Sequence, residues 1–183
     1  LQFFPMNPQG KPVKVPGGMT MPYPDLRHFS LRDYGNRVGL YRMLEAFDRY
    51  NVKPTFAMNA QLAERTPYLV ERIKARGDEV IGHSWSMDTA HAGGLAPEDE
   101  KALVARSLDT LRKLTVQKIR CWVSPGRLNS PITPDLLAEH GIEYFCDWVN
   151  DDMPYRFKTR SGDLWAMPLP TELDDRFLIF DNF

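Results

Sequence analysis

Residues 54–83 read PTFAMNAQLAERTPYLVERIKARGDEVIGH, and this stretch decides the class of fold. Thr55-Phe56-Ala57-Met58 is a short apolar run behind a proline, the texture of a buried strand. From Pro67 the apolar residues fall at Leu69, Val70 and Ile73, a helical spacing opened by a proline and closed by Gly77. Glu79-Val80-Ile81-Gly82 then forms a second strand. Strand, helix, strand in this order is a βα unit, which demands a parallel pairing and a crossover.

The same rhythm extends outward. Asp33 is placed to cap a helix with Leu40, Leu44 and Phe47 inward, ended by Asn51. Pro97 opens another helix, with Glu98, Asp99 and Glu100 at its positive end and Val104, Leu108 and Leu111 inside. Residues 119–123, 143–146, 164–168 and 177–180 read as strands, and 134–140 as a short helix stopped by Gly141. Residues 5–31, rich in proline and glycine, read as one long loop leaving a first strand at 1–4. The pattern predicts a single α/β domain over 1–183, as an open doubly wound sheet or a barrel. No Gly-x-Gly-x-x-Gly follows a strand, which weakens a dinucleotide reading.

Composition narrows the partners. A formal charge of −1 provides no basic field for nucleic acid. No apolar run reaches the ~20 residues needed to span a bilayer. Cys121 and Cys146 each sit within an expected strand; unpaired core thiols fit a reducing, cytoplasmic compartment, and a disulfide stays open if those strands are neighbours. The chain begins without Met and ends in the apolar run Leu178-Ile179-Phe180, so we expect a piece of a longer protein. The aromatic, proline-rich stretch 15–31 suits a lid or a subunit contact, leaving a homo-oligomer open.

In βα folds the ligand lies beyond the carboxyl ends of the strands. Those exits supply Gln2, Asn59, His83 with Trp85, Pro125-Gly126-Arg127, Asp147 with Trp148, Asp151-Asp152 and Asp174. Carboxylates, an imidazole, a guanidinium and tryptophan walls suit a small polar substrate.

Several of these segments carry a resemblance. Tyr34-Gly35-Asn36-Arg37-Val38-Gly39, Val52-Lys53-Pro54-Thr55-Phe56, Gly82-His83, Trp122-Val123-Ser124-Pro125-Gly126, Asp151-Asp152-Met153-Pro154-Tyr155 and residues 168–177 resemble, in this order, polysaccharide deacetylases of the NodB-homology type. The narrower resemblance is to the branch containing the metal-independent allantoinases. It implies an irregular (β/α) barrel of seven strands, incomplete at both ends, acting in carbohydrate metabolism or on a related amide. In that family a second histidine follows the first by four residues, and the two hold a metal; here Met87 stands there, and a thioether is a poor partner for a hard or borderline ion. The resemblance also places Gln2 where relatives carry an acid, and an amide accepts no proton at neutral pH. We therefore expect no cofactor and no bound metal, with a divalent ion left open through His91.

The expected catalytic residues are His83, as acid/base or donor, and Asp151 with Asp152, whose adjacency at a strand exit splits acid from base. Gln2, Asn59, Trp85, Pro125, Arg127, Asp147 and Asp174 are expected to bind substrate, Arg127 as a bidentate clamp and Pro125-Gly126 by exposing N–H groups. The expected reaction is hydrolysis of a non-peptide C–N bond in an acetylated sugar or a cyclic ureide. The alternative is a catalytically inert binding homologue.

Overall fold

The computed structural model describes residues 1–4, 26–89, 91, 95–175 and 178–179. Among the described residues six strands form one mixed, open sheet in the order β1-β2-β3-β4-β6-β5. They are β1 (Thr55–Met58), β2 (Glu79–Gly82), β3 (Cys121–Trp122), β4 (Tyr144–Phe145), β5 (Tyr155–Thr159) and β6 (Gly162–Ala166). Neighbours from β1 through β4 to β6 are parallel, while β5 pairs antiparallel with β6 at the edge. Beyond β1 the opening residues run alongside the sheet: the Leu1 amine donates to Ala57 O, and Asn59 N–H to Leu1 O at 2.9 Å.

The helices are α1 (Leu26–Tyr34), α2 (Leu40–Arg49), α3 (Ala60–Arg65), α4 (Pro67–Arg76), α5 (Pro97–Thr115) and α6 (Thr133–Glu139). The expected span of α4 and the expected start of α5 at Pro97 hold, because proline stands in the first turn of each; a left-handed residue follows the last turn of both. At α4 that residue is Gly77, with φ 68°. The inward faces deliver Leu40, Leu44, Leu69, Ile73, Val104, Leu108 and Leu111 to a core centred on Trp122 and Phe145.

Gly82 shows how tightly that core is packed, since a Cβ there would overlap the buried Trp122 ring. Overpacking of this kind costs about 1–3 kcal/mol. Gly82→Ala is expected to lower the midpoint of urea unfolding accordingly; an unchanged midpoint would mean that the ring has room to move.

The structure corrects four readings. Asp33 lies inside α1 and caps nothing; it pairs with Arg37 at 3.7 Å, and α1 runs through a wider turn at Gly35–Gly39 into α2. Residues 26–31 are helical, while the rest of the expected loop, 5–25, lies outside the described residues. Tyr155–Thr159 is a strand, legible afterwards in the alternation of half-buried Tyr155, Phe157 and Thr159 with exposed Arg156 and Lys158. At the end, Leu178 N–H donates to Asp174 O at 2.9 Å, a helical bond where a strand was expected.

Candidate active site

The strand exits meet where β3 runs between β2 and β4. His83 follows β2 and is buried at 5% exposure. Its Nδ1 lies 2.7 Å from Val123 O, so Nδ1 must carry the hydrogen and donate it. That leaves Nε2 as a bare acceptor, approached by the Gln2 amide nitrogen at 3.4 Å. Burial holds the imidazole pKa down to about 4, against the opposing pull of the Val123 bond, so the ring is neutral at pH 7.

Asp147 follows β4 and is 6% exposed. Its Oδ1 accepts the Ser124 N–H at 2.7 Å, while Oδ2 is buried with no hydrogen bond of ordinary length among the described residues, the Asn129 side chain lying nearby. Burial pushes this carboxyl upward from its ordinary pKa, opposed by the bonds from Ser124. A buried carboxylate oxygen without a partner is costly, and Asp147 shares that condition with Asp78 Oδ1; only Asp147 lies at a strand exit.

The two groups share a support. Val123 O and Ser124 N belong to one peptide unit, so His83 donates to one edge of that plane and Asp147 accepts from the other. They flank β3, on strand backbones about 10 Å apart. Sequence reading expected Asp147 to bind substrate and did not single out Ser124.

Asn59 is fully buried, with Oδ1 accepting Phe3 N–H at 2.7 Å and Nδ2 donating to His83 O. It fixes backbone, and no face remains for a ligand. Trp85 is buried, with the Arg106 guanidinium stacked 3.5 Å from its ring centroid. That ring is a covered core element rather than an open wall. Pro125 is buried at the head of a tight turn whose Gly126 and Arg127 have φ 63° and 56°. Arg127 donates to Thr171 Oγ1 at 3.2 Å, across the exit of β6.

Asp151, Asp152 and Asp174 are exposed. Asp151 Oδ1 accepts the Met153 N–H at 3.1 Å, closing a local turn. Adjacency alone does not desolvate a carboxylate, so the pair lacks the burial that the expected acid/base split needs. Asp147, by contrast, is a buried carboxylate at the exit of β4, the strand next but one to that of His83.

The family's metal does not fit these donors. The resemblance places Met87 where the family carries its second histidine ligand. His91 has both ring nitrogens engaged, Nδ1 with Glu100 at 3.3 Å and Nε2 with Ser84 at 2.9 Å. Among the described residues no group of three or more His, Cys, Asp or Glu could hold an ion. Cys121 and Cys146 face each other across β3 and β4 with sulfurs 3.3 Å apart, both as free thiols.

Comparison with known proteins agrees with this architecture. A peptidoglycan deacetylase of Helicobacter pylori is 27% identical over 134 residues, which are 73% of this chain and 44% of that protein. The crystal structure of the Puue allantoinase superposes with a TM-score of 0.77 at 26% identity, covering 87% of this chain and 53% of its own. A CE4 family pseudoenzyme from Bacillus anthracis, 18% identical with a TM-score of 0.53 over 58% of this chain and 37% of that one, shares the fold alone. The chain thus spans about half the length of the relatives it matches. The polysaccharide deacetylase family model matches residues 32–145, most of the described sheet and its helices, and the chain belongs to that family.

Proposed function

We propose that this chain carries the hydrolytic centre of a deacetylase-like enzyme that cleaves a non-peptide C–N bond, in an N-acetylated sugar or a cyclic ureide, without a metal. The observation that carries this reading is that a neutral His83 and Asp147, whose Oδ2 has no hydrogen-bond partner among the described residues, are bonded to opposite edges of one peptide unit. Oδ2 is closed to solvent here, so substrate binding must first open the exit of β4; a water then held at Oδ2 attacks the carbonyl carbon and gives its proton to Asp147, whose raised pKa brings it nearer the working pH. The tetrahedral intermediate collapses as the same proton passes to the leaving nitrogen. His83 Nε2 accepts a hydrogen bond from substrate, and the Gln2 amide orients the same region. Arg127, at the rim, supplies positive charge to the developing oxyanion. Family membership and the likeness to a peptidoglycan deacetylase support the acetylated sugar; the likeness to an allantoinase supports the ureide. On the same likeness we read the open sheet as part of a seven-stranded (β/α) barrel.

The test is acetate release from chitooligosaccharides and ring opening of allantoin, each with and without a chelator. Turnover that survives chelation supports the reading. Loss of activity on chelation, restored by a divalent ion, overturns the metal-free mechanism, and silence on both substrates favours an inert homologue.

A further inference from the structure

Directly behind His83 lies a fully enclosed polar chain: Ser84 Oγ, His91 and Glu100, exposed at 0%, 1% and 1%. Ser84 Oγ is 2.9 Å from His91 Nε2, and His91 Nδ1 is 3.3 Å from Glu100 Oε1. Glu100 is held in turn by Ser130 Oγ at 2.6 Å and by the Thr133 hydroxyl, which ties α5 to the start of α6. An ionised Glu100 accepts the Nδ1–H of His91, and in the neutral ring so bonded Nε2 accepts from the Ser84 hydroxyl. The order hydroxyl, imidazole, carboxylate is that of a nucleophilic triad. Ser84 is sealed from solvent, however, so no acyl group reaches its oxygen.

The conformation of Ser84 suggests a different task. It sits at φ 58°, a left-handed backbone that is unfavourable for a residue bearing a side chain. This bend turns the chain immediately after His83. The carbonyl of Ser84 accepts Ala60 N–H at 2.9 Å, and that of His83 accepts the Asn59 amide. A relaxed Ser84 would swing the peptide between the two and carry the imidazole away from Val123. His91 also stands edge-on to Trp122, ring centroids 5.6 Å apart, and Trp122 Nε1 donates to Ser124 Oγ at 3.0 Å. The chain therefore braces both sides of the peptide unit that joins His83 to Asp147.

We propose that His91 and Glu100 are positioning residues that hold Ser84 in its left-handed conformation and so aim His83 at the site. This rests on the reading of His83 as a substrate-facing group, yet part of its test needs no activity. In the full chain, the Nδ1–H proton of His83, bonded to Val123 O, is expected to give a protected downfield NMR signal. His91→Ala is expected to abolish or broaden that signal. It should also lower kcat about tenfold or more with KM changed less than about threefold, the split expected when an oriented group is lost. Ser84→Gly supplies the decisive control, because glycine takes positive φ without help. The double variant Ser84→Gly/His91→Ala is expected to regain the His83 signal and most of kcat. A folded His91→Ala protein with the signal intact overturns the proposal, as does a double variant that fails to regain it. Should His91→Ala not fold, His91→Gln is read in the same way with the same glycine rescue. If the wild type hydrolyses nothing, the catalytic reading fails, and the NMR arm still decides the positioning role.

Discussion

Asp147→Asn is expected to cut kcat by about 10²–10⁴-fold, the range for loss of a general base, while the protein stays folded. Asparagine keeps a carbonyl oxygen that accepts the Ser124 N–H, so the link to β3 survives. What disappears is the capacity to take a proton at Oδ2. Removing a buried negative charge also relieves its desolvation, so the melting temperature should hold or rise. Asp151→Asn is the matched control, since that carboxylate is exposed and engaged only in a turn; its activity should stay within about twofold. Equal losses in the two variants would return the base to the loop. Wild-type turnover by Asp147→Asn would remove Asp147 from the chemistry.

The second large effect is on stability. His83 titrates near 4 in the folded protein, against 6.5 for a free imidazole. Between these values the unfolded chain binds the proton and the folded chain does not, so stability falls as pH drops from 6.5 to 4. The full loss is about 3 kcal/mol. Below pH 4 both states carry the proton and the loss grows no further; at pH 7 neither does and His83 contributes nothing. Glu100 acts in the same direction at lower pH, since its lowered pKa makes its share vanish as it protonates. Asp147 acts oppositely, its raised pKa adding stability that is lost as pH rises. Urea unfolding at pH 7 and pH 4, on wild type and on His83→Gln, isolates the histidine. The variant should lose markedly less between the two pH values; an identical loss would show that the imidazole is not shielded in the native state.

Much of the fold was legible because apolar periodicity and chain-breaking residues agree. Leu69, Val70 and Ile73 between Pro67 and Gly77 define α4 without help from anything distant. Asp33 misled because a capping residue type counts only where a helix begins, and α1 begins upstream at Leu26. Strand β5 was overlooked although its alternation was present, because the charged Arg156 and Lys158 are the exposed partners in an edge strand.

The site was legible in part. His83 stood out as an imidazole at a strand exit, but Asp147 and Asp151 looked alike on paper, and only burial distinguishes them. Glu100 was read as a helix-dipole residue with Glu98 and Asp99. Its spacing from Val104, Leu108 and Leu111 puts it on the inner stripe, a signal that was there to be used. The Ser124 N–H had no signature at all, since a backbone donor is invisible until a strand brings a partner to it.

The plane shared by Val123 and Ser124 has one more implication. An amide resists twisting by roughly 18–20 kcal/mol, so it behaves as a stiff plank with an imidazole fastened at one edge and a carboxylate at the other. A tilt of that plane is therefore felt at both edges together, and the imidazole and the carboxylate keep their register through the strand rather than through each other.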